Sequence, residues 1–274
     1  MLPSLLLSLR EGLEAALIIG IVLGALRKMN RTELKPFVWT GALAALLFSA
    51  ASAFILYSFG ASLEGPAEEI FEGATMLLAA GILTWMIFWM QRQARFIQSD
   101  LEAGVRLATL RGGKQAVFSI AFLAVVKEGI ELALFLTAAT FASNAHVTLT
   151  GAMVGLAAAG ILGWLVFATT VRLDLRRFFL FTGAALILFA AGLVAQSVHA
   201  FNEIGWIPAM IDPLWNINPI LPETSTAGQL LKSLFGYNGN PSLTEMVAYL
   251  AYFAVIAIGL RRNSANPVSL QEVA

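Results

Sequence analysis

Two short stretches place acidic and basic side chains inside runs that are otherwise apolar. Residues 10–14 read Arg-Glu-Gly-Leu-Glu, and residues 127–131 read Lys-Glu-Gly-Ile-Glu. In an α-helix, positions three and four apart share one face, so each stretch predicts two carboxylates and one cation side by side. The candidate metal ligands are Glu11, Glu14, Glu128 and Glu131, and the charge-balancing residues are Arg10 and Lys127.

The surplus of carboxylates in these two stretches predicts a cation site. Each ionisable side chain in the middle of a bilayer costs at least about 2.5–3.5 kcal/mol on insertion scales. Four glutamates less one arginine and one lysine leave a net charge of −2, which favours a multivalent cation. Carboxylate oxygens suit iron, manganese, magnesium or calcium, and the absence of cysteine excludes a thiolate site. The alternative is an ion-pair network that only fixes helix packing, although two salt bridges would need only two carboxylates.

The composition of the chain indicates that these charged residues lie within a membrane protein. Of its 274 residues, 58% are hydrophobic and 12% are charged, whereas soluble domains are roughly 45–50% apolar and about 25% charged. The net charge is zero, so no basic field attracts DNA or RNA. These values exclude a soluble enzyme and a nucleic-acid-binding protein, and they indicate the lipid bilayer as the surroundings.

Seven apolar stretches are long enough to cross a bilayer, which takes about 20 residues per helix. They cover approximately residues 2–26, 36–59, 69–90, 116–141, 150–171, 178–198 and 243–260. All of the 17 lysines and arginines except Arg10, Lys127 and Lys232 lie at one side of these spans, which the positive-inside rule makes cytoplasmic. The sequence therefore predicts an all-α polytopic membrane protein of seven transmembrane helices, with its N-terminus outside and its C-terminus inside.

The two charged motifs belong to a longer internal repeat. The second span of each half opens with Gly-Ala, at Gly41 and Gly151, and the third spans contain Phe71-Glu-Gly-Ala and Phe181-Thr-Gly-Ala. Because each copy has three spans, the two copies are predicted to insert in opposite orientations, as in many secondary transporters.

The repeat and the spans together predict one transmembrane domain over residues 1–274. Its predicted parts are repeat 1 at about 2–90, repeat 2 at about 116–198, an outer loop at about 199–242, and helix 7 at about 243–260. The outer loop is rich in proline, and residues 230–235 within it are compatible with a short amphipathic or re-entrant piece.

Three further glutamates, Glu68, Glu69 and Glu72, open the third span from its outer side. Acidic side chains near a helix N-terminus interact favourably with the helix dipole. This interaction explains Glu68 and Glu69 as well as a cation-binding role does. Glu72 lies one turn deeper on the same face. We predict that the three glutamates capture a cation at the outer mouth and that Glu72 relays it to the centre.

At these motifs the sequence resembles the oxidase-dependent iron permeases, which comprise the fungal high-affinity ferric permease and the bacterial EfeU-type permeases. The signature is Arg-Glu-Gly-Leu-Glu at 10–14, repeated with substitutions at 127–131. Residues 69–73, 83–90 and 234–241 are similar to the bacterial branch, and the similarity runs over most of residues 1–260.

The resemblance implies that the chain imports iron across the cytoplasmic (inner) membrane, with iron as the substrate and no prosthetic group. It implies that Glu11, Glu14, Glu128 and Glu131 bind iron in transit. It also implies a periplasmic or extracellular oxidase partner, which could be a cupredoxin-like protein, a haem peroxidase or a multicopper oxidase. The family usually has arginine where this chain has Lys127, and lysine keeps the charge but loses the bidentate fork.

Three other functions stay open at this point. One is transport of another divalent cation, manganese or magnesium, and another is a non-transporting iron sensor or scaffold. The third is a membrane enzyme, such as a carboxylate di-iron oxidase, which would use Glu-x-x-His pairs in a helix bundle. Ser143 stands three residues before His146 and Gln196 three before His199, so neither histidine fits that pattern. We therefore expect a transporter and not an enzyme.

Overall fold

A computed structural model describes residues 1–93, 103–107, 113–168 and 175–265. Within these ranges all regular elements are helical, which confirms the predicted all-α class. The helices are α1 (Leu2–Lys28), α2 (Lys35–Gly60), α3 (Pro66–Gln93), α4 (Gly113–Phe141), α5 (Ala145–Ala168), α6 (Leu175–Glu203), α7 (Thr226–Phe235) and α8 (Leu243–Ala265). The predicted end of the fifth span at residue 171, and the basic residues Arg95, Arg111 and Arg172, lie outside the described residues.

Five of these helices, namely α2, α3, α5, α6 and α8, are long and apolar enough to cross a membrane. Helices α1 and α4 have 27 and 29 residues, so they are as long as the others. Each of them carries one of the two charged motifs, which interrupts its apolar run. The chain is therefore a multi-pass membrane protein, and the two long helices outside the set of five are the ones that carry the candidate ligands.

The ends of the helices follow from local sequence. Helix α1 has Pro3 in its first turn, where a backbone N–H would have no partner within the helix. Its last turn contains Arg27 and Lys28, whose positive charges interact favourably with the helix dipole. Helix α3 begins at Pro66 directly after Gly65, whose φ of 61° is a left-handed conformation that glycine adopts easily. These signals account for both ends of α1 and for the start of α3.

The helices of the two halves pack across each other. Helix α1 lies along α5 and also contacts α4, whereas α4 lies along α2. Helix α3 packs against α6, and α8 contacts both α6 and α3. The main buried cluster, which includes Leu83, Phe135 and Leu186, joins α3, α4 and α6. The two motif helices are thereby held face to face in the middle of the bundle.

Small residues allow α1 to approach α5 closely and α4 to approach α2 closely. A methyl group added at Gly12 on α1 would collide with Ala159 on α5, and one added at Gly129 on α4 would collide with Ser49 on α2. Both glycines stand at the centre of a charged motif. Close approach of helices at small residues is a common means of association in lipid, where apolar burial contributes little.

A second pair of glycine contacts has the same pattern. Gly41 on α2 meets the backbone of Phe118 on α4, and Gly151 on α5 meets the backbone of Met1, directly before α1. Phe118 stands nine residues before Lys127, and Met1 stands nine residues before Arg10. The pairing of α1 with α5 thus has the same register as the pairing of α4 with α2.

The outer segment differs in part from the predicted loop at about 199–242. Helix α6 continues to Glu203, because Asn202 in its last turn bonds to Ser242 Oγ (2.7 Å) and Thr244 Oγ1 (3.1 Å). Helix α7 covers the amphipathic piece expected around residues 230–235. It is capped by Ser225 and ends at Gly236, whose backbone meets Gly192 about three turns before the end of α6. The segment is therefore packed against the bundle.

Candidate metal-ion site

The two charged motifs meet at the interface between α1 and α4. One carboxylate oxygen each from Glu11, Glu128 and Glu131 lies within 4.8 Å of the other two. Glu11 and Glu128 are 1% and 5% exposed, and Glu131 is partly buried. Oxygens at this separation from two different helices can all contact one cation, as the predicted carboxylate site requires.

Each of these carboxylates uses one oxygen for a basic neighbour. Arg10 Nη1 lies 3.1 Å from Glu11 Oε1, while Lys127 Nζ lies 3.2 Å from Glu128 Oε1 and 3.1 Å from Glu131 Oε1. The second oxygens, Oε2 of all three glutamates, are buried and accept no hydrogen bond from the described residues. A buried charged oxygen without a partner is costly. Each carboxylate of the group therefore keeps one buried oxygen that its basic neighbour does not use.

Glu14 lies beside this group but is not one of its members. Its Oε1 is 3.1 Å from Arg10 Nη2, which is an ion-pair distance, yet this oxygen makes no hydrogen bond in the described part of the chain. The ion pair therefore lacks hydrogen-bond geometry. The structure brings three of the four predicted central glutamates together and leaves Glu14 next to them, one turn further along α1.

The two basic residues have different surroundings. Arg10 is 1% exposed, and its Nη1 also donates a hydrogen bond to Met86 Sδ on α3 (2.9 Å). The Lys127 side chain is 50% exposed, and its Nζ lies 5.6 Å from the ring centroid of Trp89, within cation–π range. The two halves of the site are therefore not equivalent in burial or in hydrogen bonding.

A cleft of about 290 Å³ adjoins the site between α1, α2, α4 and α5. Its polar lining residues are Glu11, Glu128 and Ser49, and most of the remaining wall is formed by alanine and leucine. Ser49 was not singled out by sequence reasoning, since no charge or motif marks it. The cleft is therefore an apolar space next to the buried carboxylates.

The outer glutamates Glu68, Glu69 and Glu72 lie in the first two turns of α3 and are all partly exposed. Glu69 faces Glu203, at the end of α6. None of the three outer glutamates belongs to the central group of ligand atoms. Their predicted role as a capture and relay path is thus separate from the central site and stays a prediction.

Sequence reasoning missed an interaction that joins α6 to α8. His199 Nδ1 on α6 lies 3.1 Å from Glu245 Oε1 on α8, and His199 Nε2 lies 3.4 Å from Glu203 Oε1. Glu245 also accepts hydrogen bonds from Ser242 N (3.1 Å) and Asn238 Nδ2 (2.9 Å). The signal for it is present as Ser242-Leu-Thr-Glu245, a capping box at the start of a helix.

A bundle of membrane-length helices defines a multi-pass membrane protein, and the carboxylates buried between these helices are suited to contact a cation. The chain belongs to the iron permease FTR1 family, which it matches over residues 1–262. The resemblance noted at the motifs is therefore confirmed. The members of this family are transporters and not enzymes, so the expectation of a transporter is confirmed as well.

Two relatives illustrate the bacterial branch of the family. The chain is 34% identical over 259 residues to the ferrous iron permease EfeU of Shigella sonnei (strain Ss046), covering 93% of this chain and 94% of the relative. It is 31% identical over 249 residues to the ferrous iron permease EfeU of Yersinia pestis, covering 90% of this chain and 88% of the relative. No solved structure matches the chain.

Proposed function

We propose that this protein imports ferrous iron across the cytoplasmic membrane through a central site formed by Glu11, Glu128 and Glu131, with Glu14 beside it. The observation that carries the proposal is the group of three carboxylates from two helices, within 4.8 Å of one another, each with a buried oxygen that lacks a hydrogen-bond partner in the described residues. The relatives' name, ferrous iron permease, supports iron(II) as the cargo.

The charge of the site supports a divalent cargo. Glu11, Glu14, Glu128 and Glu131 carry four negative charges, and the two basic partners carry two positive ones, which leaves −2. A cation of charge +2 would neutralise this set while Arg10 and Lys127 stay on their own oxygens. The membrane potential would add roughly 2.3 kcal/mol per charge per 100 mV to inward movement.

The proposed architecture is seven transmembrane helices in two inverted repeats, with the N-terminus outside and the C-terminus inside. In this arrangement α1 to α3 form one copy, α4 to α6 form the other, and α8 is the added seventh span. Support comes from the matched contacts of Gly12 with Ala159 and of Gly129 with Ser49. Inverted repeats place their substrate site near the midplane, where the two copies meet.

The proposed path begins at the outer end of α3. Glu68, Glu69 and Glu72 would capture the ion, and Glu72 would pass it towards the centre. A periplasmic or extracellular oxidase, of the cupredoxin-like, haem peroxidase or multicopper class, is proposed as the partner on the strength of the resemblance at the motifs.

Radiolabelled iron uptake into proteoliposomes that contain only the purified chain tests this function. Fe(II) kept reduced with ascorbate and Fe(III) as a weak chelate are supplied in parallel, with manganese and magnesium as competitors. We expect Fe(II) uptake that is abolished by Glu14→Ala or Glu131→Ala, while Glu33→Gln, at an exposed residue paired with Arg31, has no effect.

Three outcomes would contradict the proposal. Normal uptake by Glu131→Ala would exclude the central site. Efficient competition by manganese or magnesium would favour a broader divalent transporter. Metal binding without flux, with or without an oxidase partner in the vesicles, would favour a sensor or scaffold.

A further inference from the structure

Ser49 on α2 carries a buried hydroxyl group with no hydrogen-bond partner among the described residues. The residue is only 8% exposed. A serine inside a helix commonly donates to the carbonyl four residues earlier, as Ser52 on the same helix does to Phe48 O (2.9 Å). The Ser49 hydroxyl does not do so. Such a group lacks the compensation that buried polar groups ordinarily have.

The position of Ser49 connects it with the carboxylate site. It lines the same cleft as Glu11 and Glu128, and its side chain abuts Gly129, the residue that follows Glu128. Glu11 and Glu128 each retain a buried oxygen without a hydrogen-bond donor in the described ranges. Three residues of one cleft, contributed by α1, α2 and α4, therefore each hold an oxygen atom that lacks a partner.

Packing alone does not require a hydroxyl at this position. Ser49 stands eight residues after Gly41, and Ala159 stands eight residues after Gly151. Ala159 contacts Gly12 on α1 just as Ser49 contacts Gly129 on α4. A methyl group thus fills the matching space on the other side.

We infer that the Ser49 hydroxyl is a further oxygen ligand for the ion held by Glu11, Glu128 and Glu131. This inference rests on the proposed function and specifies its substrate site. A neutral hydroxyl adds a hard oxygen without adding charge, so the net charge of −2 is unchanged. Such a ligand favours a hard divalent cation and orients it towards α2, across the cleft from α1.

The first test measures anaerobic Fe(II) binding by the full-length chain in detergent, using equilibrium dialysis. We expect Ser49→Ala to weaken Fe(II) binding about tenfold or more, in the range found when groups supporting a metal site are removed. Ala159→Ser, which adds a hydroxyl at the matching position, is the control and should bind as the wild type does. Glu11→Gln should lose binding.

These variants separate the inference from the function on which it rests. If Ser49→Ala binds as the wild type does while Glu11→Gln has lost binding, the inference is wrong and the proposed function stands. If the wild-type chain binds no Fe(II), both are wrong.

A second variant reports on ligation directly. The chain contains no cysteine, so a thiolate-to-cadmium charge-transfer band in Ser49→Cys can come only from residue 49. We expect this band on addition of Cd(II), its loss when Fe(II) competes, and no band in Ala159→Cys. A Ser49→Cys protein that elutes as a single species and gives no band would overturn the inference.

Discussion

Arg10 on α1 donates a hydrogen bond from Nη1 to the thioether sulfur of Met86 on α3, across 2.9 Å. The same nitrogen lies 3.1 Å from Glu11 Oε1, and Nη2 lies 3.1 Å from Glu14 Oε1. One guanidinium group therefore joins both carboxylates of its motif to a neighbouring helix. Lys127 contacts α3 more loosely, through the ring of Trp89.

This difference predicts unequal effects of exchanging the two basic residues. Arg10→Lys should reduce iron uptake at least tenfold, because a single ammonium group cannot reach Glu11, Glu14 and Met86 together in the fully buried position. Lys127→Arg should keep at least half of the wild-type uptake, since the half-exposed side chain has room for a guanidinium group. Initial rates of iron uptake into proteoliposomes, normalised to inserted protein, measure the effect of each variant. Equal losses in the two variants would show that the two basic residues are equivalent and that the burial of Arg10 has no functional role.

The approach of α1 to α5 predicts that two glycines on one helix respond in opposite ways to alanine. Gly12→Ala should lower the free energy of unfolding by about 1–3 kcal/mol, because the new methyl would lie 2.7 Å from the Ala159 methyl. In Gly24→Ala, on the same helix, the new methyl would have nothing within 4 Å. This variant should raise the free energy of unfolding by up to about 1 kcal/mol through helix propensity.

Thermal unfolding in detergent measures the stability of the two glycine variants. The double variant Gly12→Ala with Ala159→Gly should recover much of the loss, because it removes the colliding methyl. Failure of this rescue would mean that Gly12 is needed for a reason other than the contact with α5.

The bonds of Glu245 predict that it holds the outer segment against the bundle. Glu245→Gln should destabilise the start of α8 by about 1–3 kcal/mol, because His199, Asn238 and the Ser242 N–H lose a charged acceptor. Hydrogen exchange of residues 236–245 should become faster by a corresponding factor. Glu64→Gln changes an exposed glutamate on the same side and serves as the control. Unchanged exchange in Glu245→Gln would show that other contacts hold the segment.

Sequence reasoning identified the features that are local along the chain. Hydrophobic runs, the positions of the few charges and the spacing of the two motifs indicated an all-α membrane protein, and the motifs led to the family. These properties can be recognised from the sequence alone because each depends only on residues within about 20 positions of one another. The grouping of Glu11 with Glu128 was also expected, since the motifs repeat at matched depth and inverted repeats place their site where the two copies meet.

Other features depend on which helix faces which, and hydropathy carries no information about that choice. Ser49 has no motif around it, Met86 was noted only as part of the run 83–90, and His199 was compared only with the Glu-x-x-His pattern. They became interpretable when α3 was placed beside Arg10, α2 against Gly129, and α8 beside α6. The exclusion of Glu14 from the central group and the burial of Arg10 but not Lys127 likewise follow from packing. In such a bundle, close approach at small residues selects the neighbours, and these contacts join positions more than 70 residues apart.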